Sequence, residues 1–201
     1  MPEGPASPAD VMAKTGAMED LSLHILDVVE NGTAAGASLV EIGVDEDLAA
    51  ARTGIRIKDD GRGMDPVMVA AATHPFVTTR STRRVGLGLP LLLMAAEETG
   101  GSLTIDSTPG AGTEVRAIFR TDHIDCKPLG DLAGTVVTLI LAHPQVDFVV
   151  HHARDGETRE LDTRELKQQL GEVPITAPAV LNLIRDHIGG SGDAREGDDH
   201  G

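Results

Sequence analysis

Cysteine and aromatic residues are scarce in this sequence. Cys126 is the single cysteine, so the chain cannot form an internal disulfide and offers no cysteine cluster for a structural metal. Tyrosine and tryptophan are absent and phenylalanine occurs three times, although the hydrophobic content of 40% is normal for a globular protein. We therefore expect a packed core built from leucine, valine, isoleucine, alanine and methionine.

Positive charge is also scarce. The chain carries 17 lysine and arginine residues against 32 aspartate and glutamate residues, which gives a formal net charge of −15. Because nucleic acids and anionic membranes are bound through clustered cations, this composition disfavours both as non-specific partners. It leaves room for a protein partner without identifying one.

Long apolar runs are missing as well. No stretch reaches the roughly 18 apolar residues that a membrane helix requires. Met1–Asp10 has no basic patch followed by an apolar run, which is the pattern of a secretory signal. We therefore expect a cytoplasmic protein without membrane insertion.

Composition divides the chain into four parts. The segment 1–16 is rich in proline, alanine and glycine, and 190–201 is rich in glycine and aspartate, so both are predicted to be disordered. Residues 17–121 are predicted to form the main domain, and residues 122–189 a C-terminal α/β extension.

Apolar periodicity and turn residues predict the elements of both parts. In the main domain these are helices over 18–35 and 89–99, a short helix after Pro66, strands over 38–44 and 54–58 joined by a loop over 45–53, and a hairpin of 102–107 and 113–120. In the extension these are a strand over 136–142, a hairpin of 147–152 and 159–161, and helices over 163–170 and 178–188. The segment 73–85 lacks an apolar period and is predicted to be a mobile loop.

Asp27 and Asn31 form the first motif that could carry chemistry. At about 100° per residue, positions four apart share one face of a helix. An amide oxygen is a suitable ligand for Mg²⁺, and a nearby carboxylate can polarise an attacking water. An acid and an asparagine on a helix also form an ordinary solvated face, so this motif alone leaves both interpretations open.

Asp59 opens the second motif, the run Asp-Asp-Gly-Arg-Gly-Met that ends at Met64. A carboxylate at the end of a strand can accept a hydrogen bond from the amino group of adenine, and the glycines let the backbone approach a ligand closely. Guanine presents an acceptor at the same position, so the contact would favour ATP over GTP. The alternative is a plain Asp-Gly turn between two elements.

The third motif is Gly86-Leu87-Gly88-Leu89 at the start of a predicted helix. Helix N-termini offer free N–H groups and partial positive charge to phosphates, and glycines remove side chains that would block contact. A simple loop-to-helix joint has the same appearance. The sequence lacks a P-loop and a complete dinucleotide-binding glycine motif, which excludes both of those nucleotide folds.

The order and spacing of these motifs, followed by Gly112-Thr113-Glu114-Val115, resemble the GHKL superfamily over residues 18–120. This superfamily contains DNA gyrase, heat-shock chaperone ATPases, histidine kinases and mismatch-repair ATPases. The segment 59–63 is very similar to the gyrase box, and the segment 75–80 is similar to the lid of histidine kinases. The resemblance implies a two-layer α/β sandwich, with a mixed sheet and helices on one face, that binds ATP and Mg²⁺.

The resemblance also implies roles for individual residues. Asn31 would hold Mg²⁺, Asp59 would bind adenine, and Thr113 would support Asp59 or a bridging water. The segment 73–85 would be the ATP lid, in which Arg80, Arg83 or Arg84 could approach the terminal phosphate. The implied ATP contacts are Asn31, Ala35, Asp59, Gly61, Gly63, Met64, Thr78, Thr79, Arg80, Gly86, Leu87, Gly88, Leu89 and Thr113.

The sequence departs from the family at the catalytic position. Family members that hydrolyse ATP usually have glutamate where this chain has Asp27, and aspartate is one methylene shorter. Glu30 supplies a second acid but points about 100° away from Asn31 on a helix. Asp27 and Glu30 are therefore the candidate catalytic residues.

Three functions follow from the resemblance. The first is ATP binding with slow hydrolysis or phosphotransfer linked to a partner protein. The second is an inactive, ATP-dependent binding switch, and the third is a Ser/Thr kinase similar to anti-sigma-factor kinases. A complete sensor kinase is not expected, because few residues precede the first predicted helix.

Overall fold

The structure, a computed structural model, describes residues 20–73 and 88–190. Within these ranges it contains six helices and six strands. The helices are α1 Leu21–Ala34, α2 Pro66–Ala72, α3 Gly88–Glu98, α4 Leu132–Ala142, α5 Thr163–Leu170 and α6 Pro178–Gly189. The strands are β1 Leu39–Asp47, β2 Arg52–Asp59, β3 Ser102–Thr108, β4 Gly112–Arg120, β5 Asp147–Arg154 and β6 Glu157–Asp162.

The six strands form one mixed sheet in the order β3-β4-β2-β1-β5-β6. Strand β1 pairs in parallel with β5, and every other neighbouring pair is antiparallel. The inner face of β1 buries Val40, Ile42 and Val44, and the helices cover this face. The predicted sandwich with helices on one face is confirmed.

The other face of the sheet carries charged side chains. Arg56 of β2 forms ion pairs with Glu41 of β1 and Glu114 of β4, and Arg116 also pairs with Glu114. These cross-strand pairs satisfy the charges of a face that no helix within residues 20–73 and 88–190 covers. The alternation of apolar and charged residues along the strands therefore decides which face holds the core.

Helix α1 lies in the middle of the covered face. Asp20 is its N-cap, and the carboxylate accepts a hydrogen bond from the backbone N–H of Leu23 at 3.1 Å. The apolar stripe predicted from the sequence is buried, with Ile25 and Val29 fully enclosed. This packing fixes the direction in which the polar face of α1 points.

Two boundaries differ from the sequence-based expectation. The loop predicted over 45–53 is shorter, because β1 continues to Asp47 and β2 begins at Arg52. The pairing of Asp47 with Arg52 extends the hairpin to a tight connection, in which Ala51 adopts a positive φ of 48°. Cross-strand pairing thus extends both strands beyond their apolar runs.

The predicted strand over 136–142 is wrong, since these residues belong to helix α4. A continuous apolar run fits a buried strand and a buried helix equally well. The N-cap decides between them, because the carboxylate of Asp131 accepts a hydrogen bond from the backbone N–H of Gly134 at 2.7 Å. The helix is buried on nearly all sides, so it lacks the polar stripe that would have identified it.

The C-terminal extension continues the sheet of the main domain. Strand β5 pairs with β1 from Leu39↔Asp147 onwards, and β6 closes the predicted hairpin at Asp155 and Gly156. Helices α5 and α6 agree with the predictions, and Asp162 caps α5 by accepting a hydrogen bond from Arg164 N. The boundary predicted between residues 121 and 122 stays a prediction, because the sheet runs through both parts.

Among the described residues, no helix has both the length and the apolar character needed to cross a bilayer.

Candidate functional site

Asp27 and Asn31 lie on the polar edge of α1, one turn apart. Asp27 is half-buried and Asn31 is exposed. Burial raises the pKa of Asp27, and the negative charge of Glu30 adds to the rise. A carboxylate with a raised pKa is a better proton acceptor than an ordinary surface aspartate, which suits a general base.

Gly88, at the start of α3, lies against Asp27. A methyl group at position 88 would be 2.8 Å from the Asp27 Cβ and 3.2 Å from its Oδ2. Only a residue without a side chain allows this approach of α3 to α1. The side chain of Leu89 points into the core and is buried, so Leu89 could contact a ligand through its backbone only.

Asp59, the last residue of β2, lies against the C-terminal part of α1. A methyl group at Gly32 would be 3.1 Å from the Asp59 Cβ and 3.2 Å from its Oδ2. Gly32 follows Asn31 directly in the chain, so Asp59 packs against the helix turn that carries Asn31. Helix α1 is thereby in contact with Asp59 at Gly32 and with Gly88 at Asp27.

The Asp59 carboxylate is oriented by the backbone that follows it. Its Oδ1 accepts a hydrogen bond from Gly61 N at 2.9 Å. Burial raises the pKa of Asp59, although backbone hydrogen bonds from Gly61 and Thr113 oppose the rise. A half-buried, fixed acceptor of this kind discriminates between ligands, because an unmatched polar group would cost free energy.

The neighbouring acid, Asp60, has a structural role. Its carboxylate accepts hydrogen bonds from Ser38 N at 2.7 Å, from Ser38 Oγ at 2.6 Å and from Leu39 N at 2.9 Å. Burial acts to raise its pKa, but these hydrogen bonds outweigh burial and lower the pKa of Asp60. Asp60 therefore fastens the end of β2 to the start of β1.

The second motif requires glycine at positions 61 and 63, because a side chain there would contact neighbouring atoms too closely. A methyl group at Gly61 would be 2.9 Å from the Asp59 Oδ1 and 3.1 Å from the Ala35 Cβ. Gly63 has a φ of +63°, and a side chain there would overlap the carbonyl group of Thr108. Ala35 thus lines the turn by packing against Gly61.

Arg62 is anchored at the C-terminal end of α1. Its Nη2 donates to the carbonyl oxygen of Ala34 at 2.7 Å, and its backbone N–H donates to the carbonyl oxygen of Ala35 at 3.2 Å. A cation at a helix C-terminus satisfies free carbonyl groups and complements the helix dipole. The alanine at position 35 is therefore compatible with an anchored Arg62.

Ser107 is a site residue that the sequence analysis missed. Its Oγ accepts from Met64 N at 2.8 Å, donates to the Gly112 carbonyl oxygen at 3.0 Å, and lies 2.9 Å from Thr113 Oγ1. Because the single Ser107 proton goes to Gly112, Thr113 donates to Ser107 and keeps acceptor capacity for a ligand. No motif marks this serine, since its partners come from the turn before α2 and from β4.

Glu30, the second candidate acid, forms a hydrogen bond with a histidine of the C-terminal extension. Its Oε1 lies 2.9 Å from His143 Nε2, at the C-cap of α4. The carboxylate has no proton to donate, so His143 donates. Glu30 therefore faces α4 instead of sharing the edge with Asn31.

His24 is buried in α1 with 2% of its surface exposed. Neither ring nitrogen has a hydrogen-bond partner within the described ranges. Burial, followed by the positive charge of Lys127, lowers the pKa of His24 to about 4. The imidazole is thus neutral near pH 7 and acts as a packing residue.

The residues that would hold Mg·ATP fit that ligand where they are described. Asn31 presents an exposed amide, and the start of the helix α3, whose N-terminal N–H groups would suit phosphates, lies against Asp27. Among the described residues, no cluster of three or more histidine, cysteine or acidic side chains could hold a metal by itself. Mg²⁺ at Asn31 would therefore depend on phosphate oxygens and water for its other ligands.

Part of the predicted site lies outside the described residues. This concerns the lid residues Thr78, Thr79 and Arg80, the alternatives Arg83 and Arg84, and Gly86 and Leu87 of the third motif. Their predicted contacts with ATP stay predictions.

A separate cavity of about 1250 Å³ lies at the opposite end of the sheet. It is lined by Glu46 and His152, which form a buried pair at 2.9 Å, and by Arg159 and Arg185 among others. The side chains of His151 and His152 point to opposite faces of the sheet, since His151 is exposed and His152 is buried. This cavity does not include the edge where Asp27 and Asp59 lie.

Comparisons with known proteins bear on the family and the fold. The histidine kinase-, DNA gyrase B-, and HSP90-like ATPase family matches residues 17–123, which are just over half of the chain. A sensor protein of Shewanella frigidimarina is 34% identical over 117 residues, which are 55% of this chain and 17% of that protein. Sporulation kinase C of Bacillus subtilis is 27% identical over 104 residues, which are 52% of this chain and 24% of that protein.

A solved structure titled as the N-terminal domain of a DNA repair protein has the same fold. It matches with a TM-score of 0.50 at 15% identity, over 90% of this chain and 60% of that one. The chain spans less than a quarter of the length of the two curated relatives named above. From the family match and the mixed sheet, we conclude that this chain belongs to the histidine kinase-, DNA gyrase B-, and HSP90-like ATPase family.

Proposed function

We propose that this chain binds Mg·ATP at the edge formed by α1, the end of β2 and the start of α3, and that it couples ATP to a partner protein by slow hydrolysis or phosphotransfer. The observation that carries the proposal is the pair of close contacts along α1. Gly32 lies against Asp59, and Gly88 lies against Asp27. Residues for the base, the cation and the phosphates therefore meet on one helix edge.

Asp59 supplies the preference for adenine. Its carboxylate is held by Gly61 and Thr113 and accepts the hydrogen bond of the adenine amino group. Guanine has a carbonyl oxygen at that position, so two acceptors would face each other in a half-buried site. The Thr113 hydroxyl adds a second acceptor beside the base and contacts it either directly or through water.

Asn31 and Gly88 serve the phosphate end. The amide oxygen of Asn31 would be one ligand of Mg²⁺, and ATP oxygens and water would supply the others. The N–H groups at the start of α3 would face the phosphates, as helix N-termini favour anions. Bound Mg²⁺ supplies charge neutralisation for the phosphates.

Asp27 is the residue proposed to support turnover, and we expect this turnover to be slow. Its raised pKa suits proton acceptance from a water or hydroxyl. Its side chain, however, is one methylene shorter than the usual glutamate, and a small misplacement of a base lowers the rate strongly. Glu30 does not substitute for it, because Glu30 is bonded to His143.

A partner protein is proposed as the recipient of the phosphate or of the conformational signal. The kinase among the relatives favours phosphotransfer, and the departure at Asp27 favours a binding switch without catalysis. A Ser/Thr kinase similar to anti-sigma-factor kinases is a third possibility that rests on family resemblance. These three functions share the same ATP site.

Thermal unfolding with ATP, GTP and Mg²⁺ tests the binding proposal. We expect ATP with Mg²⁺ to raise the Tm of the wild type and GTP to have little effect. The Asp59→Asn variant should lose the preference for ATP, because its amide presents both a donor and an acceptor. Equal stabilisation of the wild type by ATP and GTP, or an Asp59→Asn variant that behaves like the wild type, would reject the adenine contact.

Phosphate release and transfer distinguish the three functions. Release that is abolished in Asp27→Ala supports hydrolysis, whereas release that appears only in Asp27→Glu supports the switch. Radiolabel transferred from ATP to serine or threonine of a captured partner supports the kinase. Capture of that partner with and without a non-hydrolysable ATP analogue tests whether its binding depends on nucleotide.

A further inference from the structure

Helix α1 is held at both ends by residues that lie beyond the family match. At its start, the backbone N–H groups of Leu21 and Ser22 donate to the carbonyl oxygens of Pro128 and Leu129 at 2.9 and 2.8 Å. Near its end, Glu30 accepts a hydrogen bond from His143 at 2.9 Å. The helix that carries Asp27 and Asn31 is therefore fastened to the C-terminal extension.

His143 is well placed to hold Glu30 in one direction. It is the C-cap of α4, and its backbone N–H donates to the carbonyl oxygen of Leu139. Leu139 and Ile140 are fully buried, so the end of α4 cannot shift without disturbing the core. The imidazole thus presents its Nε2 proton from a fixed position to a flexible glutamate.

The direction of Glu30 matters because of its neighbours. Glu30 precedes Asn31 directly and follows Asp27 by three residues, and its negative charge is felt at Asp27. A glutamate released from His143 has enough rotatable bonds to turn towards the edge that Asn31 and Gly88 form. There its carboxylate would repel the phosphates or compete with them for Mg²⁺.

We infer that His143 is a positioning residue of the nucleotide site, which acts through Glu30 by keeping that carboxylate turned towards α4 and away from the phosphates of ATP. This inference rests on the proposed Mg·ATP site. It gives the extension a direct part in nucleotide affinity, through a hydrogen bond between residues 113 positions apart in the chain.

The test is titration of the full chain with Mg·ATP by calorimetry, on the wild type and four variants. His143→Ala should weaken binding by about three- to tenfold, the range of coupling through one side-chain contact. His143→Gln keeps an N–H donor for Glu30 and should restore the affinity to within about twofold of the wild type. Glu30→Gln removes the charge and should bind at least as tightly as the wild type.

The decisive variant is the double substitution His143→Ala with Glu30→Gln. If His143 acts through the Glu30 charge, the double variant binds Mg·ATP like Glu30→Gln alone. A double variant as weak as His143→Ala, or a His143→Ala variant that binds like the wild type, overturns the inference. Unfolding without nucleotide, measured in parallel, separates a loss of fold from a loss of affinity.

His151→Ala is the matched control. His151 is exposed and pairs with Glu160 at 3.0 Å on the face of the sheet that no described helix covers. This variant also loses a histidine–glutamate contact, but it should keep the wild-type affinity. A wild type that does not bind Mg·ATP refutes the proposed function itself, whereas a binding wild type with unaffected His143 variants refutes the inference alone.

Discussion

Gly88 and Asp27 approach each other so closely that a methyl group at position 88 would lie 2.8 Å from the Asp27 Cβ. Real Cβ atoms do not tolerate this distance, so a side chain at position 88 must push α3 away from α1. The contact joins the start of one helix to the middle of another, on the edge proposed to bind phosphates. The close approach of the two helices is thus a specific requirement of the site.

Gly88→Ala is expected to lower both stability and ATP affinity. Overpacking costs roughly 1–3 kcal/mol, and the higher helix propensity of alanine returns about 1 kcal/mol, so the net loss is about 1 kcal/mol. The displaced start of α3 should weaken Mg·ATP binding at least tenfold. Gly189→Ala is the control, because Gly189 is also helical but a methyl group there meets Ala133 Cβ at an ordinary 3.6 Å.

Gly63→Ala should destabilise the protein by roughly 2–4 kcal/mol, measured by denaturant unfolding. Two effects add, since the φ of +63° is unfavourable for alanine and the new Cβ would overlap the Thr108 carbonyl group. Gly156→Ala separates them, because Gly156 has a φ of +83° and open space around it. We expect about 1 kcal/mol for Gly156→Ala, and equal losses at the two positions would contradict the steric part of the argument.

Ser107→Ala should disturb the adenine end without unfolding the chain. The variant removes the acceptor of Met64 N and the partner of Thr113, which costs about 1–2 kcal/mol of stability. The freed Thr113 hydroxyl should also reduce the ratio of ATP to GTP affinity, measured by competition. Ser102→Ala, at the exposed start of β3, serves as control; a Ser107→Ala variant with unchanged stability and selectivity would remove Ser107 from the site.

His24 predicts a specific dependence of stability on pH. Its pKa is lowered from 6.5 to about 4 in the folded chain, chiefly by burial. In this range the unfolded chain therefore binds a proton at His24 that the folded chain does not bind. The contribution of neutral His24 to the free energy of unfolding is fully present above pH 6.5 and is lost as the pH falls towards 4. Between these values the Tm of the wild type should fall more steeply than that of His24→Leu.

The same variant tests the missing hydrogen bonds of His24. At pH 7, His24→Leu should be at least as stable as the wild type, because it removes two buried nitrogens without described partners. His151→Gln, at an exposed histidine, should change the pH profile much less. Identical slopes for the wild type and His24→Leu would show that His24 is accessible to protons in the folded chain.

Local features of the sequence were enough to predict most elements and the family. Helix α1 and the turn after β2 could be read from capping residues, apolar spacing and glycines, because these depend on neighbours in the chain. The run 136–142 could not be assigned correctly, since an apolar segment buried on nearly all sides loses its periodicity. The candidate ATP residues could likewise be proposed, but not their distances.

The sequence by itself determined which side chains and glycines are available at the candidate site and which segments become helix or strand where a polar face exists. Only the tertiary structure decided that Asp59 packs against Gly32 while Asp60 fastens β1, that Ser107 joins Met64 to Thr113, and that His143 bonds to Glu30. The reason is physical: these choices depend on contacts between strands and helices far apart in the chain, and such contacts leave no local pattern. Close packing of α1 against β2, α3 and α4 creates them.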